Sequence, residues 1–200
     1  MDEKAFELVL KGGHVIDPKN GLSKLADVAV AKGRIAAVAE NIPAANAEKV
    51  VDVSGAYVTP GLIDMHVHMD RSCLRYGLIA DAHSFSSGVT TFVDAGTSGA
   101  TTFGRFKELV IDPSITRVLA FLNIVDLGMG GDWEQDVSRM NPEIAAGVAA
   151  AYPDVIVGIK FAHYWPTQPY DAEHQTWDAV DRAVAAGEIC QLPVMADFKP

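Results

Sequence analysis

Segment 59–68 consists of Thr59-Pro60-Gly61-Leu62-Ile63-Asp64-Met65-His66-Val67-His68, and it separates two different patterns in the chain. In an extended strand, residues i and i+2 point to the same side, so His66 and His68 share one face while Val67 faces the other. Two imidazoles on one face can bind a single metal ion. The segment therefore predicts a strand that ends at a metal site.

Upstream of this segment, short β-type runs alternate with turn signals, which predicts a small antiparallel domain over residues 1–59. The predicted strands are 6–10, 14–17, 26–31, 34–39, 50–53 and 56–58. Lys32 and Gly33 predict a two-residue hairpin between two of these strands, because glycine supplies the positive φ that such loops require.

Downstream, apolar strands alternate with longer amphipathic stretches, the pattern of βα units around a parallel sheet. The predicted strands are 62–66, 89–94, 117–125, 155–161 and 193–197, and the clearest helices are 102–111, 142–151 and 172–186. Asn141 and Pro142 predict the start of the second helix, as N-cap and first helical residue. The apolar face predicted for the last helix consists of Trp177, Val180, Ala183 and Val184.

These patterns predict an α/β protein in which a small N-terminal β-sandwich-type domain, residues 1–59, precedes about five βα units of a (β/α)8 TIM barrel, residues 60–200. A complete barrel takes about 250 residues. We therefore expect the chain to be truncated. We also expect the 200 residues alone to be inactive and poorly soluble, because an open five-stranded sheet exposes an edge and an apolar face.

Composition limits the functional classes. The chain has 200 residues, of which 49% are hydrophobic and 21% are charged, as in a globular protein with a sizeable core. A net charge of -10 without a basic cluster argues against nucleic-acid or membrane partners. The two cysteines, Cys73 and Cys190, are too few for a disulfide framework. With neither a secretory signal nor an apolar run of about 18 residues, we expect a cytoplasmic protein.

Several side chains that could bind a metal or take part in catalysis lie at the ends of the predicted barrel strands, where (β/α)8 enzymes carry their reacting groups. They are His66, His68, Asp94, Lys160 and Asp197. A single histidine there is commonly structural, but the His-Val-His pair favours metal binding. Lys160 interrupts an apolar strand, and it is either functional or a lysine whose ammonium extends to solvent.

Four motifs carry a resemblance to a known family: Leu8-Val9-Leu10-Lys11-Gly12-Gly13-His14-Val15-Ile16-Asp17-Pro18, Gly61-Leu62-Ile63-Asp64-Met65-His66-Val67-His68, Gly88-Val89-Thr90-Thr91-Phe92-Val93-Asp94-Ala95-Gly96 and Val157-Gly158-Ile159-Lys160. Together they resemble the amidohydrolase superfamily, in its dihydroorotase, hydantoinase and deacetylase-like branch. The resemblance extends through essentially the whole chain.

The resemblance implies a binuclear centre of two divalent ions, usually zinc. His66 and His68 would bind the more buried ion. Lys160 would be carboxylated by CO2, and its carbamate oxygens would bridge both ions, since a free ammonium cannot bind a cation. A hydroxide bridging the two metals would then attack an amide or ester carbonyl.

The family also uses a histidine after the fifth strand, a histidine after the sixth and an aspartate after the eighth as general base. The first position is occupied here by Asp197, which is either a variant oxygen ligand or a solvated loop residue. The other two residues, including the general-base aspartate, are expected beyond residue 200.

Substrate contacts are less clearly marked. The Gly96-Thr97-Ser98-Gly99 stretch resembles a loop of the deacetylase-like members, so Gly96 and Thr97 either line a substrate pocket or form an ordinary βα turn. Asn123 and His163 lie near strand ends and are candidate substrate contacts. For His163 the alternative is an aromatic loop cluster that includes Tyr164.

Three functions are compatible with these residues. The first is a metal-dependent hydrolase that cleaves an N-acyl or other linear amide. The second is a cyclic amidohydrolase of the hydantoinase or dihydroorotase type. Dihydroorotases carry an arginine two residues after the second histidine, where this chain has Asp70 followed by Arg71. The third is a non-catalytic relative. A small-molecule amide is the expected partner, and a homo-oligomer of the full-length protein is left open.

Overall fold

The computed structural model describes residues 4–69, 77–164 and 177–197. The chain divides into two compact units, Met1–Pro60 and Gly61–Pro200. Three features of the sequence lie outside the described residues: Cys73, the Asp70-Arg71 pair and the beginning of the predicted helix 172–186.

The N-terminal unit contains one five-stranded sheet. Its strands are β1 (Phe6–Asp17), β2 (Leu22–Ala31), β3 (Arg34–Ala39), β4 (Ala47–Asp52) and β5 (Tyr57–Val58), with short 3-10 turns at Pro18–Asn20 and Ala44–Asn46. The antiparallel prediction holds for β1, β2 and β3, but it is wrong for β4 and β5, which both run parallel to β1. The segment between β3 and β4 leads to the opposite edge of the sheet, so the pairing changes direction.

Two local features of this sheet follow from glycine. The predicted strands 6–10 and 14–17 are one strand with an irregularity between Leu10 and Gly13, where Gly12 has a φ of +75°. The predicted hairpin is confirmed, since Ala31 pairs with Arg34 and both loop residues have positive φ values. The described residues form one layer, and the second layer of a sandwich stays a prediction.

The second unit confirms the predicted start of a barrel. Five strands run parallel in the order β10-β9-β8-β7-β6, so strands consecutive in the chain are neighbours in the sheet. The strands are β6 (Leu62–Val67), β7 (Val89–Gly99), β8 (Arg117–Asn123), β9 (Ile156–Phe161) and β10 (Val194–Ala196). The helices are α1 (Ala80–Ser87), α2 (Phe103–Phe106), α3 (Pro142–Ala151) and α4 (Asp178–Cys190), with a π turn at Lys107–Ile111 and 3-10 turns at Asp132–Gln135 and Val137–Arg139.

Helix boundaries show which local signals decided the structure. α3 begins as predicted, because the Asn141 side chain accepts a hydrogen bond of 2.9 Å from the amide of Ile144. The apolar face predicted for α4 is wrong at Trp177 and Val184, which are 57% and 41% exposed. α4 begins only at Asp178, and small residues form its buried face: Ala179, Ala183, Ala186 and Gly187.

Helix α1 fills the gap between the first two barrel strands, where a helix was expected but its bounds were not predicted, because its sequence is polar and has only a weak apolar face. Among the helices in the described ranges, none has the length and apolar character needed to cross a membrane.

Candidate metal centre

The two predicted histidine ligands lie at the carboxyl end of β6. His66 is exposed within the strand, and His68 follows it and is half-buried. Their ring centroids are 5.3 Å apart with an interplanar angle of 81°. Val67 between them is buried, as the alternation of an extended chain requires. The structure therefore brings both imidazoles to one side of the strand.

A threonine on the next strand orients His68. The Thr97 hydroxyl donates a hydrogen bond of 2.8 Å to Oδ2 of Asp94 and lies 3.1 Å from Nδ1 of His68. A hydroxyl has one proton to donate, so toward His68 it acts as acceptor of the Nδ1–H. The lone pair of His68 then resides on Nε2, which is the nitrogen able to bind a metal.

Asp94 supports this arrangement through hydrogen bonds to Met69 and Thr97. Its carboxylate is fully buried, and it accepts hydrogen bonds from the backbone amides of Met69 at 2.8 Å and Thr97 at 2.7 Å. These bonds join the residue after His68 to the end of β7. The sequence predicted Asp94 as one of the functional side chains at the strand ends. In the structure it accepts a hydrogen bond from Thr97, the residue that contacts His68.

Lys160 lies in β9 and is buried. The residue is 1% exposed, and its Nζ makes no hydrogen bond to the described residues. Its ion pair with Oδ2 of Asp197 spans 3.9 Å. Burial lowers the pKa of Lys160, and the charge of Asp197 offsets part of that effect. The alternative of a lysine whose ammonium reaches solvent is wrong, because the Lys160 side chain is 1% exposed.

The electrostatics of His68 show that the predicted groups converge. Its pKa is lowered from 6.5 to about 4, first by burial and then by the positive charges of His66, Lys160 and His163, whereas Asp197 raises it. His68 is therefore neutral near pH 7, which is the state that binds metal ions. Residues at the ends of β6, β9 and β10 are close enough to influence one imidazole.

Gly96 makes room for the lysine. It has a φ of +83°, and a Cβ at this position would lie 2.6 Å from Cγ and 2.8 Å from Cβ of Lys160. The amide nitrogen of Asn123 donates a hydrogen bond of 2.9 Å to the Gly96 carbonyl, and Oδ1 of Asn123 accepts one from Val125. These bonds hold the backbone against the lysine stem.

The sequence predicted Gly96, Thr97 and Asn123 as substrate contacts, and that role stays a prediction, but the loop predicted for Gly96 and Thr97 is wrong. Gly96 and Thr97 are not in a loop, because β7 continues to Gly99. Thr97 and Asn123 are buried, and their polar atoms are bonded within the chain. Thr97 contacts the candidate ligand His68, and Asn123 bonds the Gly96 backbone that packs against Lys160.

His163 has a different environment. Its φ is +61°, and its Nδ1 lies 2.9 Å from Oε2 of Glu134. Glu134 is buried, and its Oε1 accepts a hydrogen bond of 2.8 Å from the amide of Gly130. The side chain of Gln135 donates a hydrogen bond to the His163 carbonyl. The Glu134 contact was missed, because a charged residue in a polar loop gives no local signal.

The donor set fits a divalent cation if Lys160 is modified. Among described residues, no three His, Cys, Asp or Glu side chains converge to hold a metal ion. The site instead combines His66 and His68 with Lys160 and the adjacent Asp197 carboxylate. A lysine amine buried without a hydrogen-bond partner is costly, and a carbamate would provide anionic oxygens for a metal.

Known proteins resemble this chain in sequence, although no family model matches it. It is 32% identical to a deacetylase of Enterococcus faecalis over 156 residues, which are 78% of this chain and 41% of that protein. It is 37% identical to a deacetylase of Agrobacterium fabrum over 97 residues, 48% of this chain and 24% of that protein. It is 49% identical to a dihydroorotase of Streptococcus thermophilus over 92 residues, which are 43% of this chain and 21% of that protein.

Solved structures resemble this chain in fold. An adenine deaminase matches with a TM-score of 0.77 and 27% identity, over 98% of this chain and 51% of that one. A dihydroorotase matches with a TM-score of 0.73 and 24% identity, over 96% of this chain and 51% of that one. A D-aminoacylase with a binuclear metal centre matches with a TM-score of 0.59 and 21% identity, over 94% of this chain and 50% of that one. The chain thus spans about half the length of these structures, and its matches cover less than half of the curated relatives.

Proposed function

We propose that this chain, which belongs to the amidohydrolase superfamily, is part of a metal-dependent hydrolase that cleaves a C–N amide bond. The observation that carries the proposal is the buried Lys160 amine, which has no hydrogen-bond partner among the described residues and lies at the strand ends that carry His66 and His68. The similarity to deacetylases and dihydroorotases supports hydrolysis as the reaction class.

Lys160 is proposed to carry a carbamate. The lone pair of the neutral amine forms a C–N bond with CO2, and the amine loses one proton to solvent. Burial favours this step because it lowers the pKa of Lys160 and so increases the neutral fraction. The product carries one negative charge shared by two oxygens, so the residue changes from an amine that repels cations when protonated to a group that binds them.

Two divalent ions, most in keeping with zinc, are proposed for this donor set of imidazole and oxygen. His66 and His68 would hold one ion, the Lys160 carbamate both, and Asp197 the second. Ions bound there supply Lewis acidity, which polarises a carbonyl group and makes water a stronger acid. The protein contributes orientation, since Thr97 fixes the His68 ring. The general-base aspartate expected beyond residue 200 stays a prediction.

The proposed substrate is a linear N-acyl amide. Among the three sequence relatives, a deacetylase shares the longest matching segment with this chain. A cyclic amide is the second candidate, since the highest identity among those three is to a dihydroorotase. A non-catalytic relative is less well supported, because the two histidines and the lysine remain together at one sheet end. The small-molecule partner and the absence of nucleic-acid or membrane partners are part of the proposal.

The test compares Lys160→Ala with Lys107→Ala in the complete native protein supplied with zinc and bicarbonate. Lys107 forms a surface ion pair with Asp112, so its loss controls for removal of a lysine. We expect the rate of hydrolysis of N-acetyl amino acids to fall at least about 100-fold in Lys160→Ala. With 13C-labelled CO2, wild type should show a carbamate signal and Lys160→Ala should not. Undiminished hydrolysis in Lys160→Ala would refute the proposal. Faster hydrolysis of cyclic ureides by the wild type would favour the second substrate class.

A further inference from the structure

A second pair of acid–base groups lies beside the candidate metal centre. Glu134, in the 3-10 turn after β8, contacts Nδ1 of His163, which follows β9. The two residues are 29 positions apart in sequence. His163 is near enough to His68 for its charge to lower the pKa of that residue. The pair therefore belongs to the same end of the sheet as the proposed ligands.

Three features indicate that the imidazole is held in place. The Glu134 carboxylate is buried and fixed by the Gly130 amide, so it presents a preorganised acceptor. Gln135 binds the carbonyl of His163 from the same turn. The backbone of His163 adopts a φ of +61°, which is unfavourable for a residue with a Cβ. Such strain persists where the surrounding structure enforces it, and it concentrates at functional sites.

The hydrogen bond decides which ring nitrogen exchanges a proton. Glu134 accepts from Nδ1–H whether the ring is neutral or charged. Nε2 is then the nitrogen that gains and loses the proton, as in other carboxylate–histidine pairs. The His163 side chain is 37% exposed. A group approaching from solvent can therefore reach the ring.

We propose that His163 is a catalytic residue that protonates the leaving nitrogen, and that Glu134 is the residue that positions it; this rests on the proposed amide hydrolysis. Amides need such a donor, because an unprotonated amine anion is a very poor leaving group. The ligand atoms that would bind the cations carry no proton, so they cannot supply it.

The proton balance is complete without a further reagent. Water adds to the acyl carbon through its oxygen, and the C–N bond breaks with its electron pair on nitrogen. Nε2–H of the His163 imidazolium transfers its proton to that nitrogen. The general base expected beyond residue 200 takes the proton that the attacking water releases, and the neutral imidazole regains a proton from that group or from solvent. The pair then returns to its starting state.

An alternative is that the pair only ties the loop after β8 to the loop after β9. The two roles differ in their dependence on the leaving group. A proton donor accelerates amides and matters little for an ester whose leaving group is a stable anion. A structural tie affects both substrates equally, because it changes the shape of the whole site.

The experiment uses the complete native protein loaded with zinc and two substrates with the same acyl group, an alkyl amide and a 4-nitrophenyl ester. His163→Asn is the main variant, since asparagine tolerates a positive φ. Glu134→Gln tests the positioning residue. His83→Gln is the matched control, because His83 is exposed on α1 and its side chain bonds only to the carbonyl of Ile79 in the described part.

We expect His163→Asn to lose at least about 100-fold in kcat/KM for the amide and to retain most of the ester activity, with unchanged zinc content. Glu134→Gln should show the same pattern to a smaller degree, and His83→Gln should match wild type. Equal losses on both substrates, or no loss on the amide, would overturn the proposal. A wild type that hydrolyses neither substrate would refute the proposed function, and this role with it.

A readout independent of turnover addresses the geometry. In 15N-histidine spectra, His163 should show a protonated Nδ1 in wild type, and this signal should weaken in Glu134→Gln. A wild-type His163 protonated on Nε2 alone would contradict the proposed orientation even if hydrolysis is observed.

Discussion

Replacing Gly96 by alanine tests how closely the lysine is fitted into the site. The new Cβ would lie 2.6 Å from Cγ of Lys160, a distance that requires a shift of the lysine or of β7. Alanine at a φ of +83° costs about 1–2 kcal/mol of backbone strain. Overpacking in a tight interior adds about 1–3 kcal/mol. The sum predicts a decrease of about 2–5 kcal/mol in the free energy of unfolding.

Gly88→Ala is the matched control for this prediction. Gly88 has a φ of +74° at the end of α1, and no heavy atom lies within 4 Å of the position that a Cβ would occupy. It should lose only the strain contribution of about 1–2 kcal/mol. Urea unfolding gives both stabilities, and zinc titration gives the metal content. Gly96→Ala should also bind less zinc, because Lys160 is displaced. Equal stability losses and equal zinc binding in the two variants would refute the proposed fit between Gly96 and Lys160.

Three further predictions concern the surroundings of the site. Thr97→Val should weaken zinc binding by about 10–100-fold in a chelator competition, because His68 loses its orienting partner; an unchanged affinity would count against that role. Without metal, the protein should lose at most about 3 kcal/mol of unfolding free energy as pH falls from 6.5 to about 4. The sign follows from the lowered pKa of His68, since the unfolded chain binds a proton that the folded chain does not, and urea titrations of His68→Gln should show a flatter pH dependence. Asn141→Ala should cost about 1 kcal/mol in urea unfolding through loss of the α3 cap, with unchanged zinc affinity.

The sequence was most informative where a residue's role depends on its immediate neighbours. The placement of His66 and His68 on one face follows from the period of a strand. The position of Lys160 in an apolar run indicated an unusual lysine, but it did not decide between a functional group and an ammonium that reaches solvent. The cap at Asn141 is equally local. These signals are enough to predict the parallel sheet and the cluster of candidate ligands at its carboxyl end.

Contacts between distant segments could not be predicted in this way. Glu134 and His163 are joined across 29 positions, and no periodic pattern connects a polar loop to a strand end. The parallel pairing of β4 with β1 depends on where the chain crosses the sheet, which short runs do not encode. The cytoplasmic location, the oligomeric state and the residues expected beyond residue 200 stay predictions.

The carboxylate at position 197 affects how a carbamate on Lys160 could form. With an ammonium on Lys160, the contact of 3.9 Å to Asp197 joins opposite charges. With a carbamate, both groups are anionic, and two like charges at that distance repel by about 4 kcal/mol at an effective dielectric constant near 20. Solvent reduces this repulsion, because the Asp197 side chain is 47% exposed.

A divalent cation between the two groups would convert that repulsion into attraction. Metal binding and carboxylation of Lys160 should therefore favour each other, and by linkage each raises the affinity for the other by the same factor. A neutral histidine, which the family resemblance leads us to expect at this position, would impose no such requirement. Asp197→Asn should accordingly make carbamate formation less dependent on zinc. A carboxylate in place of the histidine expected from the family resemblance would then couple CO2 uptake to metal binding more tightly.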